Sequence, residues 1–212
     1  MIENIMFYTF PVILAYLLGS IPTAVWVGKR FYNIDVRKEG SGNAGATNTI
    51  RVLGLKAGIP VLIIDVLKGY AAVALAPLVA SLISEETLSA TLILASAAAV
   101  VLGHTFPLLA GFKGGKGVAT LLGVGIGLFP AASLTVVLIF TIILILTHYV
   151  SLGSIIASIS FPFLVIFVFH SPGIVYSGLA IGVAVFIPFT HRKNIVRLIK
   201  GTESKISFKK KK

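Results

Sequence analysis

Asp35-Val36-Arg37-Lys38-Glu39-Gly40-Ser41-Gly42-Asn43-Ala44-Gly45-Ala46-Thr47-Asn48-Thr49-Ile50-Arg51 stands between two long apolar runs. The stretch is built from glycines, amides, hydroxyls and two arginines. The chain around it is 57% hydrophobic and only 12% charged, whereas about a quarter of the residues of a soluble domain are charged. A polar island of this kind reads as a loop between two membrane-spanning helices. Its glycines free backbone N–H groups to turn inward, and its arginines add fixed positive charge, so it offers a place for an anion, above all a phosphate.

Outward from this loop the apolar runs recur. Seven candidate spans lie at about 5–27, 57–79, 88–109, 117–129, 131–146, 152–169 and 174–189, against the ~20 residues a membrane helix needs. The fourth is short and ends at Pro130. The runs do not alternate, which argues against a β-barrel, and the mean hydropathy of +1.01 is that of a membrane protein. The expected fold is therefore all-α and polytopic, one membrane domain over 1–203 followed by a basic tail over 204–212. No basic residue precedes the first run, which is unlike a cleaved signal peptide. There is no cysteine, so thiolate chemistry and disulfides are excluded.

The charge pattern orients the spans. Of the 18 Lys and Arg residues, 17 fall in the loop after span one, the loop after span three or the tail after span seven, and the last, Lys68, lies inside span two. The opposite ends carry Glu3, Glu85 and Glu86 and no base. This one-sidedness predicts an external N-terminus and a cytoplasmic C-terminus, and it needs an odd number of spans. The net charge of +11 then belongs to loops facing anionic lipid, not to a nucleic-acid partner.

Three polar clusters thus share the cytoplasmic side. Gly40 to Gly45 matches G-x-G-x-x-G in letters, but an apolar helix precedes it where a dinucleotide fold has a strand. What remains is local: close backbone approach at the glycines, hydrogen-bonding side chains at Ser41, Asn43, Thr47 and Asn48, and Arg51 able to fork onto a phosphate. The alternative is a small-residue loop that lets helices pack closely. The second cluster follows Gly103-His104-Thr105-Phe106-Pro107 and runs Lys113-Gly114-Gly115-Lys116-Gly117-Val118-Ala119-Thr120. It is not a P-loop, because Lys116 precedes glycine and the earlier glycine is missing, yet two lysines and a glycine turn leading into a helix start make an anion site. His104 reads as an interfacial histidine with no assigned chemistry. The third, Thr190-His191-Arg192-Lys193-Asn194, puts His191 and Asn194 three apart on one helical face, where His191 can move a proton. Asp65 and Lys68, three apart inside span two, read as a structural ion pair. His148 and His170 have no assigned partner.

These motifs appear in the order and form of a known family. Gly19-Ser20-Ile21-Pro22, the first loop, Gly103-His104 through Phe106-Pro107, the Lys113–Thr120 stretch and His191-Arg192-Lys193-Asn194 together resemble the bacterial acyl-phosphate:glycerol-3-phosphate acyltransferase (PlsY) family over nearly the whole chain. The resemblance implies a seven-helix enzyme of the bacterial inner membrane. It implies transfer of a fatty acyl group from acyl phosphate to the 1-hydroxyl of glycerol 3-phosphate, giving lysophosphatidic acid and phosphate, with membrane lipid around it and no cofactor. By the same resemblance Ser41 and Arg51 are needed for activity, Lys113, Gly114, Gly115, Lys116 and Gly117 bind glycerol phosphate, His191 and Asn194 serve catalysis, and Glu203 is structural.

The residues fit that chemistry on their own terms. Both substrates are anions, and an acyl phosphate carries its own leaving group. No Ser-His-Asp set is evident, which points to direct attack by the hydroxyl and not to an acyl-enzyme on Ser41. The proton acceptor is His191 or a substrate phosphate oxygen. No histidine has an aspartate five residues on, so the His-x4-Asp mechanism of other glycerol phosphate acyltransferases is not expected. The competing class is a transporter of a small organic phosphate, but no internal repeat is seen and the three polar clusters lie at helix ends on one face. A third, weaker reading is a lipid-binding scaffold. No metal-ligand cluster is apparent.

Overall fold

The computed structural model describes residues 2–80, 86–170 and 173–206. The described residues form helices and turns with no strand. Glu85 and the lysines at 209–212, most of the basic tail, lie outside them. In chain order the helices are α1 (Ile2–Gly19), α2 (Thr23–Tyr32), α3 (Ala46–Leu53), α4 (Leu55–Ala80), α5 (Glu86–Thr105), α6 (Val118–Leu128), α7 (Pro130–Thr147), α8 (Val150–Phe163), α9 (Ile174–Thr190) and α10 (Arg192–Ile199).

Among the described residues, five segments are long and apolar enough to cross a membrane: Thr9–Tyr32, Leu55–Ala76, Ala90–Ala110, Pro130–Thr147 and Val150–Val168. α9 and α10 form a sixth as a pair bent by 61°. The short fourth run becomes α6, with 11 residues. At 1.5 Å per residue it is about 16 Å long, against a hydrocarbon core of ~30 Å.

Residues Met1–Leu128 form one compact unit and Phe129–Lys212 a second. In the first, large apolar side chains face outward, and polar side chains are buried inside among small apolar ones. Ile63, Leu67 and Leu102 are exposed, while Ser20, Asp65, Lys68, Ser96 and Thr120 are buried, the arrangement a bilayer solvent demands. Helices meet through glycine. A Cβ at Gly69 of α4 would fall on the Thr120 carbonyl oxygen, and one at Gly123 of α6 on the Val66 carbonyl oxygen. Gly19 and Gly103 bring α1 and α5 together in the same way, so backbones touch where larger residues would hold them apart.

The first apolar run is broken. α1 stops at Gly19 and α2 restarts at Thr23, because Pro22 has no N–H to continue the ladder and pushes Ile21 out of helical geometry. The break frees the Ile21 carbonyl, which accepts from Thr23 N at 3.0 Å and from Lys68 Nζ at 3.2 Å. α2 then runs on past the expected boundary to Tyr32 and ends in a left-handed cap at Asn33, φ 54°, a residue that tolerates this conformation.

In the second unit Ala132, Phe161, Leu164, Val165 and Ala180 make the core, with Phe129 packed edge-on to Phe161 at 5.7 Å. Pro162 interrupts α8, and the chain widens into a π turn over Leu164–Val168. His148 is the left-handed cap of α7, φ 62°, and its carbonyl accepts from Ile206 N at 2.9 Å.

Candidate active site

The polar loop that opened the sequence is a folded device. Val36–Lys38 forms a 3-10 turn capped by Asp35. Arg37 donates from Nε and Nη2 to the Asp35 carboxylate at 3.0 and 2.8 Å and from Nη1 to the Ala110 carbonyl at 2.8 Å. It thereby ties the first loop to the second. The Arg37 hydrogen bonds hold the Asp35 carboxyl well below the usual carboxylate range, and Asp35 in turn raises the guanidinium.

Asn48 sits fully buried beneath the loop. Its Nδ2 donates to the Val36 carbonyl at 2.7 Å and the Glu39 carbonyl at 3.1 Å, and its Oδ1 accepts from Ser41 N at 2.8 Å. Asn48 therefore builds the loop that presents Ser41, whose side of the loop is exposed. Gly40 (φ 60°) takes a left-handed turn directly against Asn48, where a Cβ would overlap Oδ1. Asn43 Oδ1 lies over Gly45, the residue just before α3. Thr47 is half-buried in the first turn of α3, and Arg51 is exposed in its last.

The second loop is fastened at both ends. Leu108 N donates to Ser20 Oγ at 3.4 Å, and Tyr16 Oη donates to the Phe106 carbonyl at 2.8 Å. Gly114 N and Gly115 N donate to the carbonyls of Thr105 and His104 at 3.2 and 3.1 Å. A Cβ at Gly114 would strike the His104 carbonyl oxygen, and one at Gly115 would strike His104 Nε2 and press on the Ala44 carbonyl. Both loops thus meet at His104. Lys113 is exposed, Lys116 half-buried and Gly117 buried at φ 82°, just before α6.

Below the loops lies a polar group that sequence reading only half found. Asp65 Oδ1 accepts from Lys68 Nζ at 2.8 Å and from Thr23 Oγ1 at 3.2 Å. His104 Nδ1 is 3.6 Å from the same oxygen, past hydrogen-bond length, and it has no other hydrogen-bond partner although buried. The Asp65–Lys68 spacing was legible in the sequence. Thr23 and His104 were not, since they reach Asp65 from other helices.

In the second unit the third cluster forms a corner. His191 ends α9 and starts α10 and is 3% exposed. Its Nδ1 is 2.8 Å from the Ile187 carbonyl. A carbonyl only accepts, so Nδ1 carries the proton and, in the neutral ring, the lone pair is on Nε2. Asn194 N donates to the His191 carbonyl at 2.8 Å. Asn194 Nδ2 and Ser151 Oγ donate to Glu203 Oε1 at 2.6 and 2.8 Å, and Arg197 Nε donates to Oε2 at 2.7 Å. Burial alone would raise the Glu203 carboxyl, but these hydrogen bonds and the Arg197 charge bring it below its ordinary value. Ser151 and Arg197 had no assigned role in the sequence reading. Among the described residues no group of three His, Cys, Asp or Glu can hold a metal.

Apolar helices that bury polar groups among small residues, joined by basic, glycine-rich loops, define a helical integral membrane protein. The chain matches the glycerol-3-phosphate acyltransferase family over residues 9–201 and belongs to it. It is 42% identical to a glycerol-3-phosphate acyltransferase of Fusobacterium nucleatum, over 95% of this chain and 99% of the relative. It is 45% identical to one of Enterococcus faecalis, over 92% of this chain and 90% of the relative. Among solved structures it resembles PlsY (YgiH), an integral membrane glycerol 3-phosphate acyltransferase, in its glycerol 3-phosphate form, with TM-score 0.82 and 38% identity over 94% of this chain and 96% of that one. The lysophosphatidic acid form matches with TM-score 0.80 at the same identity, over 94% and 95%.

Proposed function

We propose that the chain transfers a fatty acyl group from an acyl phosphate to the 1-hydroxyl of glycerol 3-phosphate, on the cytoplasmic face of the bacterial inner membrane. The observation that carries this reading is the union of two glycine-rich loops in the first unit, tied by Arg37 to the Ala110 carbonyl, the first running into α3 with Arg51 in its last turn and the second bearing Lys113 and Lys116. Glycerol 3-phosphate and lysophosphatidic acid, which name the two forms of the solved relative, are a substrate and a product of this transfer.

The hydroxyl oxygen attacks the acyl carbonyl carbon. The new ester C–O bond forms as the C–O bond to phosphate breaks, and inorganic phosphate leaves with the electron pair. Arg51, the loop lysines and backbone N–H groups around Gly114–Gly117 stabilise charge on the carbonyl oxygen and the departing phosphate. Ser41, Asn43 and Thr47 orient the substrate, with Asn48 shaping their loop. The hydroxyl proton goes to His191 or to a substrate phosphate oxygen, and Asn194 and Glu203 support the His191 corner. The Asp65–Lys68 pair has a structural role. The membrane domain spans 1–203 with seven crossings, an external N-terminus and a cytoplasmic basic tail over 204–212, supported by the placement of 17 of 18 Lys and Arg residues.

The test is phosphate release by purified protein in lipid or detergent, with palmitoyl phosphate as donor and glycerol 3-phosphate added or withheld. Release that needs both, with equimolar lysophosphatidic acid, is the expected result. Release from palmitoyl phosphate alone would identify a hydrolase or a covalent intermediate on Ser41. No release from folded protein would favour a transporter.

A further inference from the structure

We propose that His104 is a positioning residue for the second glycine-rich loop, set in place by the buried group of Thr23, Asp65 and Lys68. The inference rests on the reading of that loop as the glycerol phosphate site. All four side chains are more than nine-tenths buried: Thr23 at 6%, Asp65 at 1%, Lys68 at 5% and His104 at 6% exposed. A group this polar in a membrane helix bundle is costly unless it is paired or used. The ion pair itself is satisfied, since Lys68 Nζ reaches both Asp65 and the Ile21 carbonyl. His104 is the member held by no side-chain hydrogen bond from Nδ1, only by its nearness to the Asp65 carboxylate. Its Nδ1 faces Asp65 at 3.6 Å without a hydrogen bond.

What His104 does touch is the loop. Its carbonyl accepts the Gly115 N–H, and its Nε2 edge lies where a Gly115 side chain would be. The Ala44 carbonyl of the first loop borders the same point. The imidazole thus forms the floor on which both loops rest, and the Asp65 carboxylate sets its ring by attracting Nδ1–H. A floor of this kind acts on ligand affinity through the loop. It does not supply a proton or a charge to the reacting atoms, so its loss belongs in KM for glycerol 3-phosphate and not in kcat.

The test uses the full-length protein and steady-state kinetics with palmitoyl phosphate and glycerol 3-phosphate varied separately. His104→Ala is expected to raise KM for glycerol 3-phosphate by about 10-fold or more while kcat and KM for palmitoyl phosphate change by less than about 3-fold. His104→Asn, whose amide can replace Nδ1–H, is expected to recover part of the loss. Gly115→Ala should raise the same KM in the native background and add nothing to His104→Ala, because the shortened side chain makes room for the new methyl. A loss confined to kcat, additive effects of the two substitutions, or unchanged kinetics would each overturn the proposal. If His104→Ala does not fold, His104→Asn and Gly115→Ala carry the same test. Native protein that turns over without glycerol 3-phosphate would instead overturn the acyl-transfer reading.

Discussion

Asn194 Nδ2 lies 2.6 Å from Glu203 Oε1, so the amide three residues past His191 is held by the carboxylate of the segment that follows α10. Ser151 of α8 and Arg197 of α10 share that carboxylate. Glu203→Ala would remove the acceptor that three buried or half-buried donors share. The expected cost is about 3 kcal/mol, which for a chain of this size lowers the melting temperature by about 10 °C. Because the folded Glu203 carboxyl is brought below its ordinary 4.5, its contribution is complete above that value and is lost as pH falls through the lowered one. Melting curves of native protein and Glu203→Gln in detergent should therefore be well separated at neutral pH and converge in acid.

Asn48→Asp tests whether the first loop is shaped by that amide. The change places an oxygen against the Val36 and Glu39 carbonyls, to which Nδ2 now donates. Two lost hydrogen bonds and a new repulsion amount to about 3 kcal/mol, or roughly 100-fold in the population of the correct loop. Activity should fall by that order while far-UV circular dichroism stays unchanged. Gly40→Ala should act in the same direction, through its left-handed φ of 60° and overlap with Asn48.

Arg37→Lys separates charge from geometry in the tie between the loops. The guanidinium serves Asp35 twice and the Ala110 carbonyl once, and an ammonium cannot reproduce that fork. KM for glycerol 3-phosphate should rise by about 10-fold with kcat retained. A kcat loss with unchanged KM would show that the tie acts elsewhere.

Topology is testable because the chain has no cysteine of its own. Single cysteines at Lys113 and Lys200 should resist a membrane-impermeant maleimide in intact cells and react once the membrane is opened. Labelling of either in intact cells would reverse the orientation argued from charge.

Much of this architecture was legible in the sequence, for a physical reason. Apolar runs are local properties, and every expected run has a helix at its place, although the fourth, α6, is only 11 residues long. The misses are relationships. Pro22 splits the first run, and the second half extends it to Tyr32. The polar loop hides α3, whose eight residues are half polar and too few to announce a helix. His104 is met by Asp65 from a different helix, and Asn48, read as a loop hydrogen-bonder, is buried beneath that loop, where a buried amide and an exposed one share the same letter.

The proton acceptor can be assigned through His191. Its Nδ1–H is committed to the Ile187 carbonyl, so a neutral ring can accept a proton at Nε2 and a protonated ring cannot. If His191 is the base, kcat falls on the acid side as the ring protonates, and His191→Ala lowers kcat by about 10²–10⁴-fold and removes that acid limb. Only the limb belonging to glycerol phosphate itself would remain. Turnover that survives His191→Ala with the native pH profile would assign the proton to a substrate phosphate oxygen. The corner formed by His191 and Asn194 would then contribute orientation, and the chemistry would rest on the anion-stabilising loops.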